Sequence, residues 1–141
     1  MTTLYELVGG QAKVRAILAA LYDRLFEDRM VGFLFEGKDK TRIVELQTAF
    51  TCGFLGGPER YEGKPLPQAH ARLPLLPGHF DRRHWLLEQV LVEHGVPEEV
   101  RLAWLRIDEA LRPSVLLAAE DARDRTHKTD VDPTDGEGDP N

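Results

Sequence analysis

LYDRLFEDRMVGFLFEG, residues 21–37, carries the end of one helix into a loop, and the side chains at that junction set the reading of the chain. Leu21 and Leu25 close an apolar series (Val14, Ile17, Leu18, Leu21, Leu25) spaced as one face of a helix running from Gln11 to about Asp28. Tyr22 falls four residues after Leu18, so a hydroxyl lies on or beside that apolar face. Phe33, Leu34, Phe35 and Gly37 follow without helical periodicity and read as a short apolar loop.

The same periodicity extends in both directions. Upstream, Thr3-Leu4-Tyr5-Glu6 has the form of a capping box and starts a short helix that Gly9-Gly10 ends. Downstream, a helix is expected from about Thr41 to the stop at Gly56-Gly57-Pro58, with an apolar stripe of Ile43, Gln47, Phe50 and Phe54. Gln47 therefore sits inside an apolar face. From Pro58 to Pro77 five prolines exclude long regular structure. Helix resumes near Gly78, with Phe80, Leu87, Val90 and Leu91 on one face and Gly95 as the stop. Pro97-Glu98-Glu99 opens a further helix striped by Val100, Trp104, Ile107 and Leu111. Pro113 should kink or end it, leaving Val115–Ala119 as a further apolar turn or two. No strand pattern and no internal repeat is found, so the expected fold class is all-α.

Composition narrows the partners. The 141 residues fit one domain, and 42% hydrophobic content suffices for a core. A net charge of -6 argues against nucleic acid or an anionic membrane as a partner. Cys52 is the single cysteine, which excludes an internal disulfide and any cysteine-based zinc site. No secretory signal and no transmembrane run is present, so the expected location is the cytoplasm. Beyond Glu120, residues 121–141 hold one Val, one Ala and no larger apolar side chain. That composition cannot offset the entropy of ordering, so the expected organisation is a domain over 1–120 and a disordered acidic tail over 121–141.

Several chemistries fail on spacing. GPERYEGKP places five residues between Gly57 and Gly63 where a phosphate loop needs four, and Pro65 stands where Ser or Thr is required. His84 and Glu88 share a helix face, but no third metal ligand is spaced to join them. No G-x-S-x-G motif is present, and Cys52 shows no sign of thiolate activation. What remains is a set of polar groups in apolar settings: Tyr22, Gln47, and His70 within GKPLPQAHARLPLLPGHF, residues 63–80. A buried hydroxyl or amide without a partner costs about 1–3 kcal/mol. Either Tyr22 and Gln47 bond each other or the backbone, or all three line an internal cavity whose occupant needs one ligand and two donors.

Five motifs in order then carry a family resemblance: Leu21-Tyr22-Asp23-Arg24-Leu25, Phe33-Leu34-Phe35-Glu36-Gly37, Phe54-Leu55-Gly56-Gly57-Pro58, Tyr61-Glu62-Gly63 and Leu66-Pro67-Gln68-Ala69-His70. Together they resemble the truncated hemoglobins, most closely group I, over Leu4 to about Leu117; features after His70 are also similar to groups II and III. The resemblance implies a two-over-two helical sandwich around heme b (iron protoporphyrin IX). It places His70 as the proximal iron ligand, Phe35 against the porphyrin, Tyr22 and Gln47 as the distal donors, and Ile43 at the distal gate. Phe50 falls near the pocket and the ligand's access route, and Gly56-Gly57 on the turn towards the proximal side. Leu66 stands where the group often has Met. Leu46 replaces a histidine that gives some relatives a second axial bond, so the ferrous iron is expected to be five-coordinate without added ligand. Tyr61, Lys64, Arg72 and Arg42 are candidates for contacts to the cofactor's propionates. Trp85 is open to two readings, a pocket wall or ordinary core packing.

The implied function is reversible binding of O2, NO, CO or another diatomic ligand at a His-ligated iron, in oxygen transport or NO and redox handling. An alternative on the same site is a nitric oxide dioxygenase or peroxidase, which needs an electron-donating reductase. A third reading is a helical interaction module without heme. His79 is expected at a helix start as a cap or a surface group, His84 and His94 on exposed faces, and Cys52 as a small buried hydrophobe.

Overall fold

A computed structural model of the chain describes residues 2–58 and 76–116. Among them run the helices α1 (Leu4–Val8), α2 (Gly10–Glu27), α3 (Lys40–Phe54), α4 (Pro77–Glu93) and α5 (Glu98–Ala110), with a 3-10 turn at Gly32–Phe35 between α2 and α3 and a further helical stretch over 112–116. No strand occurs among the described residues.

The ends of these helices are written in local chemistry. The Thr3 hydroxyl accepts from Glu6 N at 3.1 Å while Glu6 Oε1 accepts from Thr3 N at 3.1 Å, completing the expected capping box. Gly9 ends α1 at φ 112°, a left-handed conformation that costs a glycine nothing. Asp39 caps α3 through Oδ1, which accepts from Arg42 N at 3.1 Å, so that helix starts at Lys40, one residue before the expected Thr41. At its other end Gly57 N donates to Cys52 O at 2.7 Å, closing the helix at the expected glycine pair. Of the two readings of His79 the cap holds, its Nδ1 accepting from Leu76 N at 3.0 Å. Helix α5 stops at Ala110, three residues before Pro113, and 112–116 form a further helical turn.

Packing joins two helix pairs. α2 lies on α3, α4 lies on α5, and α2 also packs on α4, so the pairs share a single core. Ile17, Leu18, Leu21 and Leu25 of α2 meet Leu87, Val90 and Leu91 of α4 and Val100 of α5, all essentially inaccessible to solvent. Each such side chain contributes about 1.5–3 kcal/mol relative to exposure. Polar ties fix the register: Lys13 Nζ donates to His94 O at 3.1 Å, and Arg24 pairs with Glu93. Asp28 does more. Its Oδ2 accepts from Met30 N at 3.0 Å and Val31 N at 3.2 Å, shaping the turn after α2, while Oδ1 takes Arg82 Nη2 of α4 at 2.7 Å.

Helix α3 corrects the expected stripe. The residues it buries are Val44, Thr48, Thr51 and Cys52, whereas Ile43, Gln47 and Phe50 are half-buried and Phe54 is 47% exposed. The helix has two apolar faces because it serves two neighbours. One face seals against α2, with the Thr48 hydroxyl satisfied by Val44 O at 2.7 Å, and the adjacent face looks into a cleft.

Candidate functional site

That cleft encloses about 740 Å³ including its open mouth. Tyr22 and Leu25 enter it from α2, Leu34 and Phe35 from the 3-10 turn, and Gln47 and Phe50 from α3. His79, Phe80 and Arg83 of α4 form another wall, and Val31, Asp108, Leu111 and Val115 complete the lining. Four of the residues singled out from the sequence, Tyr22, Phe35, Gln47 and Phe50, thus meet in one cavity although they span two helices and a turn.

Aromatic contacts set the geometry of the upstream wall. Tyr22 is 4% exposed and meets the edge of Phe35 in a T-shaped pair with centroids 5.9 Å apart. Phe35 in turn stacks on Phe26 at 4.9 Å, so its ring cannot swing away without breaking both contacts. Phe50 packs edge-on to Phe54 at 4.7 Å. Ile43 lies one turn before Gln47 and packs at the margin of the core, outside the cleft lining. His70, Tyr61, Lys64, Leu66 and Arg72 lie outside the described residues, as does the expected tail over 121–141.

The polar end of the cleft holds a charged cluster that the sequence reading missed. Arg83 Nη2 donates to the Tyr22 hydroxyl at 3.3 Å, so Tyr22 is bonded to an arginine and not to Gln47. Arg83 Nη1 donates to Asp108 Oδ1 at 2.7 Å, and His84 Nδ1 lies 2.8 Å from Asp108 Oδ2. Asp108 is only 9% exposed, yet both of its oxygens are matched. Burial alone would raise its pKa; the Arg83 charge and the His84 bond outweigh that and hold the carboxyl below its ordinary value. The Asp108 bond raises the pKa of His84, against a smaller opposing effect of burial. For Arg83, burial opposes the charge, but Tyr22 and Asp108 raise its pKa beyond the usual guanidinium value. The cation is therefore permanent.

A signal for these residues existed. Asp108 falls four residues after Trp104 and eight after Val100, and Arg83 falls three after Phe80 and four before Leu87. Both interrupt apolar stripes in the way that drew attention to Tyr22 and Gln47. Three further placements are corrected. His84 is part-buried on Asp108, and His94 is part-buried with Nδ1 3.0 Å from Val90 O, so neither lies on an exposed face. Trp85 is neither core nor pocket wall. It is 49% exposed, outside the cleft lining, with the Arg82 guanidinium 4.9 Å from its ring centre. Cys52 is fully buried, as expected.

Among the described residues no cluster of three His, Cys, Asp or Glu side chains could hold a metal ion, and no helix is long and apolar enough to cross a membrane. Comparison with known proteins gives one consistent answer. The family model for bacterial-like globins matches residues 3–116. The group 1 truncated hemoglobin of Tetrahymena pyriformis is 32% identical over 114 residues, covering 81% of this chain and 94% of that protein. That of Synechocystis sp. is 33% identical, covering 71% of this chain and 84% of its own. The crystal structure of the Tetrahymena pyriformis protein in its Fe(III) form superposes with a TM-score of 0.75 at 31% identity, covering 81% and 97% of the two chains. The 2/2 hemoglobin of Synechococcus sp., solved in the cyanomet state with covalently attached heme, gives 0.77 at 27% identity, covering 82% and 98%. Two helix pairs around a shared cleft are the two-over-two arrangement, and the chain belongs to the bacterial-like globin family as a truncated hemoglobin.

Proposed function

We propose that the protein holds heme b in this cleft and binds O2 or another diatomic ligand, NO or CO, reversibly at its iron. The observation that carries the reading is the convergence of Tyr22, Phe35, Gln47 and Phe50 on one apolar cavity. The residues present suit the group. Leu25, Leu34, Phe35, Phe50 and Phe80 offer apolar walls to a flat macrocycle, and the few polar groups among them are placed on one cleft. Heme bound there would supply an iron able to take up the gas, and His70 would be the residue that holds that iron.

The chain's own residues set what happens to that gas. Phe35, held by Phe26 and Tyr22, gives the macrocycle a fixed apolar contact. The Tyr22 oxygen already accepts a hydrogen bond from Arg83, which leaves the phenolic proton free to be donated into the cavity. The Gln47 amide supplies a second donor on the same lining. Both donors would bond a captured gas that gains partial negative charge and so would slow its release, more strongly in a cavity that excludes water. Tyr61, Lys64 and Arg72 are the proposed propionate partners, Leu66 an apolar contact beside His70, and Ile43 the residue beside the ligand's entry.

Absorption spectroscopy tests the assignment. Purified protein, reduced, should show a Soret band that shifts on adding CO. His70→Ala should abolish or grossly alter that band, and an unchanged spectrum would refute the proximal assignment.

A further inference from the structure

His84 lies outside the cavity lining, but a chain of hydrogen bonds joins it to the cavity. His84 Nδ1 lies 2.8 Å from Asp108 Oδ2, Asp108 Oδ1 accepts from Arg83 Nη1 at 2.7 Å, and Arg83 Nη2 donates to the Tyr22 hydroxyl at 3.3 Å. Asp108 thus stands between two partners that compete for its charge. Of the three ionisable members His84, Asp108 and Arg83, the imidazole is the one that titrates near neutral pH. Arg83 is held in its cationic form and Asp108 in its anionic form. These two charges cancel while His84 is neutral, and a positive charge is left over when it is protonated.

The charges around His84 favour the proton. The Asp108 bond acts most strongly, burial opposes it, the Asp108 and Glu109 charges on α5 add to it, and Arg112 after α5 subtracts from it. Arg112 is itself matched by Glu109 and Asp81, which blunts its effect. On α4, Arg83 precedes His84 and Glu88 follows one turn later, and the Phe80 ring stacks on the imidazole with centroids 6.5 Å apart. The His84 side chain is 24% exposed, so protons reach it from solvent, while the residues it acts on line the cavity. A charge change there is transmitted with little screening, because hydrogen bonds in a low-polarity interior polarise one another.

We propose that His84 is a proton-sensing positioning residue, which competes with Arg83 for Asp108 when protonated and so slows release of the captured gas at acid pH. The 3.3 Å link leaves the guanidinium room to close on the Tyr22 hydroxyl as Asp108 turns towards the imidazolium. Loss of the proton returns Asp108 to Arg83, and release quickens. Because coupling between two sites is reciprocal, capture of the gas favours proton uptake at His84. The inference rests on the heme reading above, with Tyr22 still the residue that touches the gas and His84 acting through Asp108 and Arg83.

Two measurements test it. Proton NMR of the purified protein, reduced and saturated with CO, follows the His84 imidazole, whose midpoint should lie above about pH 6.5 in wild type and fall in Asp108→Asn. Stopped-flow displacement then gives the O2 dissociation rate between about pH 5.5 and 9, a range that spans the imidazole titration. In wild type the rate should rise about threefold through the His84 midpoint, the effect of a full charge on a partial one across an interior of intermediate polarity. His84→Gln, which keeps a neutral donor for Asp108, should be flat at the faster rate. His79→Gln, which alters the other imidazole described on the cavity, should keep the dependence whatever its absolute rate. CO, which gains little negative charge, should leave at a nearly constant rate throughout. A flat wild-type profile, a dependence that survives His84→Gln, equal changes for O2 and CO, or a wild-type midpoint at or below about pH 6.5 overturns the proposal. A wild-type protein without a Soret band refutes the heme reading itself, an outcome separate from all of these.

Discussion

Asp108→Asn removes one charge from the buried end of the cavity at almost constant volume, and its cost can be worked from the contacts. The carboxylate is 9% exposed and holds two partners, Arg83 Nη1 at 2.7 Å and His84 Nδ1 at 2.8 Å. Hydrogen bonds involving a charged group contribute about 1.5–3 kcal/mol each, and breaking a buried ion pair costs about 3–5 kcal/mol. An asparagine keeps one acceptor for Arg83, and the Arg83 side chain is 23% exposed, so water relieves part of the stranded charge. The expected loss is therefore about 3 kcal/mol, a large share of the roughly 5–15 kcal/mol that holds an ordinary domain together. At about 4 °C per kcal/mol for an ordered unit of this size, the melting temperature should fall by about 12 °C.

Guanidinium-chloride denaturation followed by far-ultraviolet circular dichroism measures the loss. Arg83→Leu should cost a similar amount, and Arg83→Leu/Asp108→Leu less than the sum by at least about 1.5 kcal/mol, since neither charge is then stranded. The pH profile gives an independent check. The Asp108 carboxyl lies below its ordinary value, so its contribution is present above about pH 3.9 and is lost as pH falls through the folded pKa. His84 is raised, so its contribution is complete below about pH 6.5 and is lost as pH rises through its folded pKa. The cluster should thus stabilise most between about pH 4 and 6.5, and the gap between wild type and Asp108→Asn should narrow above that window. A loss under about 0.5 kcal/mol, independent of pH, would show that Asp108 behaves as a solvated surface carboxylate and would refute the reasoning.

Tyr22→Phe should raise the O2 dissociation rate of the ferrous protein about tenfold, the kinetic equivalent of one donor bond worth about 1.5 kcal/mol, and stopped-flow displacement by CO reads the change. Asp28→Asn should cost about 1.5–3 kcal/mol at neutral pH by cutting the Arg82 tie, which together with two backbone N–H groups holds the carboxyl below its ordinary value. That cost should shrink in denaturation curves as pH falls through the folded pKa, because wild type loses the same charge there. Gly56→Ala should destabilise by about 1–3 kcal/mol, since Gly56 sits at φ 95° and an added Cβ would lie 3.3 Å from Thr3 Cβ; a neutral result in thermal melts would mean that the α3 turn relaxes freely.

How much of this was legible in the sequence follows from where each signal resides. Helix ends depend on a few adjacent residues, so Thr3–Glu6, Gly9 and Gly56-Gly57 could be read with an error of about one position. The buried face of α2 has one neighbour set and one period, and every residue assigned to it is buried. Helix α3 misled because it serves α2 with one apolar face and the cavity with the next; periodicity reports that a face is apolar, not what it faces. Tyr22 and Gln47 stood out because a neutral polar group in an apolar stripe asks for a partner. Arg83 and Asp108 interrupt their stripes as plainly, but a lone charge is assigned to solvent because burying it alone is prohibitive. What overturns that assignment is their pairing, from two helices and 25 residues apart, and no pattern within either helix contains it. The cost of burial falls on each charge separately, while the compensation exists only between them. The polar end of the cavity is therefore the part of this fold that only the packing of α4 on α5 could reveal.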